Sequence, residues 1–81
     1  MYINCNTLTM KDIINEFNSM KTINNADKEV ILDIGGGSIY TQYIPVLKKL
    51  NNEGYNIILS NVRNICTPVK NYCVDNNIFI K

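Results

Sequence analysis

The stretch VILDIGGGSIY (residues 30–40) decides the fold. Val30, Ile31, Leu32 and Ile34 form a nearly continuous apolar run, interrupted by Asp33 and followed by three glycines and Ser38. A short apolar run bounded by glycine reads as a strand, and a nearly continuous one is expected where helices cover both faces of a parallel sheet. Downstream, Ile39, Tyr40, Tyr43, Val46, Leu47 and Leu50 fall at helical spacing. The stretch is therefore a strand-to-helix turn, and Ser38 stands where an N-cap would.

Outward from this turn the same alternation repeats. Tyr2–Cys5 reads as a short opening strand. Thr9 is an N-cap with Asp12 at N3, and Leu8 and Ile13 occupy the positions of a hydrophobic staple. Met10, Ile13, Ile14, Phe17 and Met20 mark one apolar face of a helix over about 10–21, ended by Asn24-Asn25. Pro45 inside a helix would cost about 3 kcal/mol, so the second helix is expected to kink or to start late, near Thr41. Gly54 is its C′ stop. Residues 55–61 (YNIILSN) form the next strand. Thr67 and Pro68 read as N-cap and N1 of a helix to about Asn76, and Ile78–Ile80 closes the chain as a strand.

The order β-α-β-α-β-α-β predicts a single α/β domain over residues 1–81. It has a mostly parallel four-stranded sheet, three helices and right-handed crossovers. The first and last strands are short enough to be edges, through which a homodimer could form.

Composition narrows the function. The 81 residues carry a net charge of +1 and contain no histidine. His-based acid–base or triad chemistry is thereby removed. Cys5, Cys66 and Cys73 have no paired metal-ligand spacing, so no metal is expected; Cys66 and Cys73 on one helix would stand about 10 Å apart, too far to bridge. The lysines are scattered rather than gathered in a stripe, which argues against nucleic acid. No apolar run is long enough to span a membrane and no signal peptide opens the chain, so a cytoplasmic location is expected. The excess of Asn, Ile, Lys and Tyr is compatible with an AT-rich genome and says little about physics.

In open α/β sheets ligands bind beyond the carboxyl ends of the strands. Two such ends carry Asp33, Gly35, Gly36, Gly37 and Ser38, and Ser60, Asn61 and Arg63. Glycine amides, a helix N-terminus, a hydroxyl and a guanidinium together suit a phosphate or carboxylate. The plainer alternative is a turn and a cap, with Asp33 bonding to loop amides and Arg63 solvated. Neither nucleotide fingerprint, GxGxxG with a ribose acid or GxxxxGK[ST], is met.

Three families share features with these residues. Over nearly its whole length the chain resembles the STAS domain of anti-sigma factor antagonists and related regulators. The matching segments are YINC (2–5), TMKDIINEFNSM (9–20), EVILDI (29–34), LKKLNNEGYNIILSNV (47–62) and a helix from Pro68 leading to NNIFI (76–80). That resemblance implies a non-enzymatic regulatory domain without a cofactor. Its phosphorylatable hydroxyl would lie at the helix tip after the Asp-ending strand, at Ser38, and Tyr40 and Tyr43 would face a protein partner. The family's Asp-Ser-Ser-Gly turn is absent, the loop is several residues shorter, and the opening hairpin has no counterpart. IGGGSIYTQYIP (34–45) resembles the Gly-Gly segment that dihydrofolate reductases place against a cofactor pyrophosphate, over about a dozen residues only. VILDIGGGSI (30–39) and EGYNIILSN (53–61) resemble the first two motifs of the haloacid-dehalogenase-like fold, with Asp33 and Ser60 in motif positions. Gly35 stands where that family's second Asp, its general acid/base, belongs. The leading expectation is thus a protein-binding regulatory domain. The alternatives are a small phosphate or nucleotide binder using Gly35–Ser38, and a standalone inhibitor that presents a surface.

Overall fold

A computed structural model describes residues 1–23, 26 and 28–81. Four strands, β1 (Tyr2–Asn4), β2 (Glu29–Asp33), β4 (Asn56–Ser60) and β6 (Phe79–Ile80), form one all-parallel sheet in that order. Between them run α1 (Met10–Ile23), α2 (Ile44–Asn52) and α3 (Thr67–Asp75). The expected α/β alternation with three helices is what the chain adopts. Two further strands, β3 (Ser38–Ile39) and β5 (Asn64–Ile65), pair in parallel as a separate two-stranded ladder.

The helix ends follow from local chemistry. Asp12 N–H donates to Thr9 Oγ1 at 3.1 Å while Thr9 N–H reaches Asp12 Oδ2 at 3.4 Å, the reciprocal capping box. The stop expected at Asn24-Asn25 lies outside the described residues. At the end of α2, Gly54 at φ +84° lets its own N–H donate to the Asn51 carbonyl and the Tyr55 N–H to Leu50, a Schellman motif. Asn77 at φ +56° plays the same part after α3, with the Ile78 N–H on the Cys73 carbonyl and its own N–H on Val74. Pro45 falls in the first turn of α2, behind a 3-10 turn over Thr41–Tyr43, so it ends up where its missing N–H costs nothing. The late start is what the chain adopts, and no kink is needed.

Two corrections concern helix starts. Ser38 is no N-cap: it belongs to β3, paired with Asn64, and the helical backbone begins three residues later. At α3 the N-cap is Cys66 rather than Thr67. Cys66 N–H still donates to the Ile39 carbonyl as the ladder ends, while its carbonyl already accepts from Lys70.

A third correction concerns the sheet's faces. Strands added in one direction by right-handed crossovers place every helix on the same side. Burial agrees: Ile3, Val30, Leu32, Ile57 and Leu59 are buried, whereas Tyr2, Ile31 and Ile58, one place along in the alternation, are not. Among the described residues the apolar run in β2 is therefore covered on one face, not two. The core lies between that face and the helices, where Ile13, Phe17, Val46, Leu47, Leu50, Val69 and Cys73 are fully buried. Phe17 meets Tyr55 edge-on with ring centroids 4.8 Å apart. Glu53, just past α2, accepts from Lys21 of α1 at 2.5 Å and from Lys49 at 3.1 Å, fastening the two helices together. Among the described residues, no helix is long and apolar enough to cross a membrane.

Candidate functional site

Parallel strands end on one rim, so β1, β2 and β4 deliver their carboxyl ends side by side, with Asn4, Asp33 and Ser60 in one row of the register. Beyond that rim the chain leaves a cleft of about 460 Å³, lined by Asn4, Asn6, Asp33, Gly35, Gly36, Asn61, Val62 and Arg63. The sheet never reverses its strand order and so has no switch-point crevice of the doubly wound kind. The loops after β1, β2 and β4 build the cleft instead.

Asp33 organises it. Its carboxylate accepts from the Gly35 N–H at 2.8 Å, from Asn61 Nδ2 at 2.9 Å and from the Tyr2 hydroxyl. The Tyr2 hydroxyl, then the Asn61 amide and the Gly35 N–H, hold the Asp33 carboxyl below the usual carboxylate range. The same bond raises the Tyr2 phenol, because the proton it shares with Asp33 is harder to remove. An Asp tied by three donors, one from β1 and one from each of the loops after β2 and β4, is a fastener, and the bonding to loop amides set out above is what it does.

The glycine loop is equally self-contained. Gly35 N–H goes to Asp33, Gly36 N–H to the Asn61 carbonyl at 2.7 Å, and Gly37 N–H to the Ile34 carbonyl at 3.3 Å. These three amides do not form the phosphate cradle that the sequence allowed, because each already has an acceptor inside the protein. Gly35 has a steric reason to be glycine: at φ +67°, an added Cβ would come within 2.8 Å of the Asn6 side chain. The loop is shaped to let the β1–α1 connection pass close to it.

Of the residues singled out above, Asp33, Gly35, Gly36, Asn61 and Arg63 meet in this cleft. Ser60 sits beside Asp33 in the sheet. Gly37 and Ser38 lead away into the β3–β5 ladder, where the half-buried Ser38 hydroxyl lies 3.5 Å from Asn64 Nδ2. Tyr40 stands 56% exposed, but Tyr43 is only 7% exposed and belongs to the core. Tyr40 is the extended residue just before the 3-10 turn and Tyr43 the last residue within it. Burial raises the Tyr43 phenol, with the nearby Cys5 thiol adding to it. Asn4, Asn6 and Tyr2 escaped sequence reading, although the parallel topology itself places the end of YINC at the same rim.

The thiols offer no ready nucleophile at this rim. Cys5 is buried and donates to the Ile3 carbonyl at 3.6 Å; burial, followed by the charge of Asp33, pushes its thiol up to about 12. Arg63 is exposed at the cleft mouth and makes no ion pair among the described residues. No cluster of three or more acidic or thiol ligands suited to a metal occurs among the described residues. Comparison of the chain with protein-family models, curated proteins and solved structures gives no match.

Proposed function

We propose that the protein is a non-catalytic regulatory or protein-interaction domain of STAS-like type, acting on a protein partner through the surface where the 3-10 turn opens α2. The carrying observation is the contrast at the rim. Asp33 and the three glycine amides are all bonded within the protein, while Tyr40 is left 56% exposed immediately before Thr41 at the helix start. An aromatic ring with a polar tip suits a protein contact. With Ser38 drawn into β3, the hydroxyl at the helix start is that of the exposed Thr41. A phosphate there would add about −1.5 to −2 charge to the contact. The test is affinity capture from native lysate with wild type, Tyr40→Ala and Thr41→Glu, followed by intact-mass analysis. Both variants are expected to lose the partner at unchanged melting temperature. Equal capture by all three would overturn the assignment.

An anion-binding role is favoured by one separate observation: Arg63, at the mouth of the cleft, is a cation without an ion-pair partner among the described residues. With the glycine amides engaged, such a site would rely on Arg63 and the side-chain amides of Asn4 and Asn6. A thermal-shift series with inorganic phosphate and nucleotides, run on wild type and Arg63→Ala, tests it. A gain of several degrees in the wild type alone is the expected signature; no gain for any ligand overturns the role.

A further inference from the structure

The cleft at the rim holds two opposite charges that do not meet. Asp33 and Arg63 are the charged side chains of its lining, and neither forms an ion pair among the described residues. The donors on Asp33 are the Tyr2 hydroxyl, the Asn61 amide and the Gly35 N–H. All three are neutral, so they anchor the carboxylate without cancelling its charge, and they keep it ionised. An ionised carboxylate offers about four acceptor sites. Two donors reach Oδ1 and only Tyr2 reaches Oδ2, so Asp33 keeps room for one more.

Carboxamides surround these charges. Asn4 Oδ1 accepts from the Asn6 N–H at 3.0 Å, and Asn61 Nδ2 is spent on Asp33. Asn4 Nδ2, Asn61 Oδ1 and the whole side-chain amide of Asn6 are left without a bond among the described residues.

Resting on the anion-binding reading of Arg63, we propose that the cleft takes a small zwitterion, a free α-amino acid, with its carboxylate on the Arg63 guanidinium and its ammonium towards Asp33. A planar guanidinium matches both oxygens of a carboxylate. An ammonium supplies the donors that Asp33 Oδ2 and the Asn6 and Asn61 side-chain oxygens can still accept. The ligand's zero net charge also matches that of the lining. A phosphate dianion or a polyphosphate fits less well. Past Arg63 it finds no second cation in the lining, it faces Asp33, and the Gly35 and Gly36 amides that would cradle it are engaged. The cleft's volume of about 460 Å³ is that of a small-molecule site. Val62 is the one apolar side chain in the lining, so a polar ligand side chain suits it better than an aliphatic one.

Titration of the isotope-labelled full chain at neutral pH, followed through its backbone amide resonances, tests this. L-Glutamine should move the amides of Gly35, Gly36, Asn61 and Arg63 and bind about tenfold or more tighter than acetate, the worth of one charge-assisted hydrogen bond. Inorganic phosphate should bind more weakly than L-glutamine. Arg63→Ala should abolish every response. Asp33→Asn keeps the shape and removes the charge, and it should bring L-glutamine down to the level of acetate. N-acetyl-L-glutamine, which lacks the ammonium, makes the same comparison on the wild type without touching the fastener. If acetate, phosphate or N-acetyl-L-glutamine binds as tightly as L-glutamine, the zwitterion assignment falls while the anion site stands. Binding of L-glutamine that survives Arg63→Ala also overturns the proposal. Amides that no anion moves would remove the anion reading itself.

Discussion

Ile58 and Leu59 are adjacent in β4, equal in size and similar in hydrophobicity, yet Leu59 is fully buried and Ile58 is not. One faces the helix layer, the other the open face. The difference teaches that in a sheet wound in one direction, a residue's energetic weight depends on the parity of its position more than on its type. The largest expected effect breaks that comparison at its centre. Leu59→Ala should cost about 2–5 kcal/mol in urea denaturation, from lost transfer energy plus a cavity. Ile58→Ala should cost less, about 1–2 kcal/mol, since part of its side chain is already wet. Equal losses would mean that the open face is covered.

The rim offers a second pair. Gly35 and Gly36 both sit at positive φ, but an added Cβ meets Asn6 at Gly35 and nothing within 4 Å at Gly36. Each alanine variant takes on the left-handed penalty of about 1–2 kcal/mol. Gly35→Ala should lose more than Gly36→Ala, because it also displaces the β1–α1 connection. Identical melting curves would show that the Asn6 contact carries no weight. At the helix starts, Thr9→Ala removes a cap bonded through its side chain and should cost about 1 kcal/mol. Cys66→Ala leaves a cap that makes no side-chain bond and should be close to neutral.

The smallest effects are electrostatic. Asp33 and Glu53 both titrate lower in the folded protein than when unfolded, Asp33 through Tyr2 and Glu53 chiefly through Lys21. Their contribution is complete above the ordinary carboxylate range and falls away as pH drops through it to the folded values. Asp33→Asn should therefore flatten, without abolishing, the loss of stability as pH falls through and below the ordinary carboxylate range. An unchanged acid limb would remove Asp33 from the fastening role. Among the thiols, half-buried Cys66 should be alkylated at pH 8 well before Cys5, whose thiol, buried and raised to about 12, stays protonated there.

Much of this was legible before any coordinates. The Thr9–Asp12 box, the Gly54 stop, the late start before Pro45 and the β-α alternation depend on bonds within a few residues, so local sequence carries them. The cleft was half legible. Asp33, Gly35, Gly36, Asn61 and Arg63 could be chosen because glycine and polar residues at strand ends stand out. Tyr2, Asn4 and Asn6 could not, because their role comes from a strand nearly thirty residues away in sequence. Ser38 misled because GGGS before a helical pattern has the composition of a cap. Its backbone is claimed by Asn64, 26 positions on, and no local signal announces such a pairing.

The sequence by itself determined which segments become strands and helices and where each helix stops, because turns, caps and periodicity are short-range. Only the tertiary structure decided that all three helices share one face. Ile31 and Ile58 make both faces of β2 and β4 look apolar, so composition cannot tell a covered face from an open one. Strand order does so, and it is fixed by long-range pairing. Long-range pairing also drew Ser38 into the β3–β5 ladder and closed the glycine amides on the protein itself, while Tyr40 stayed exposed.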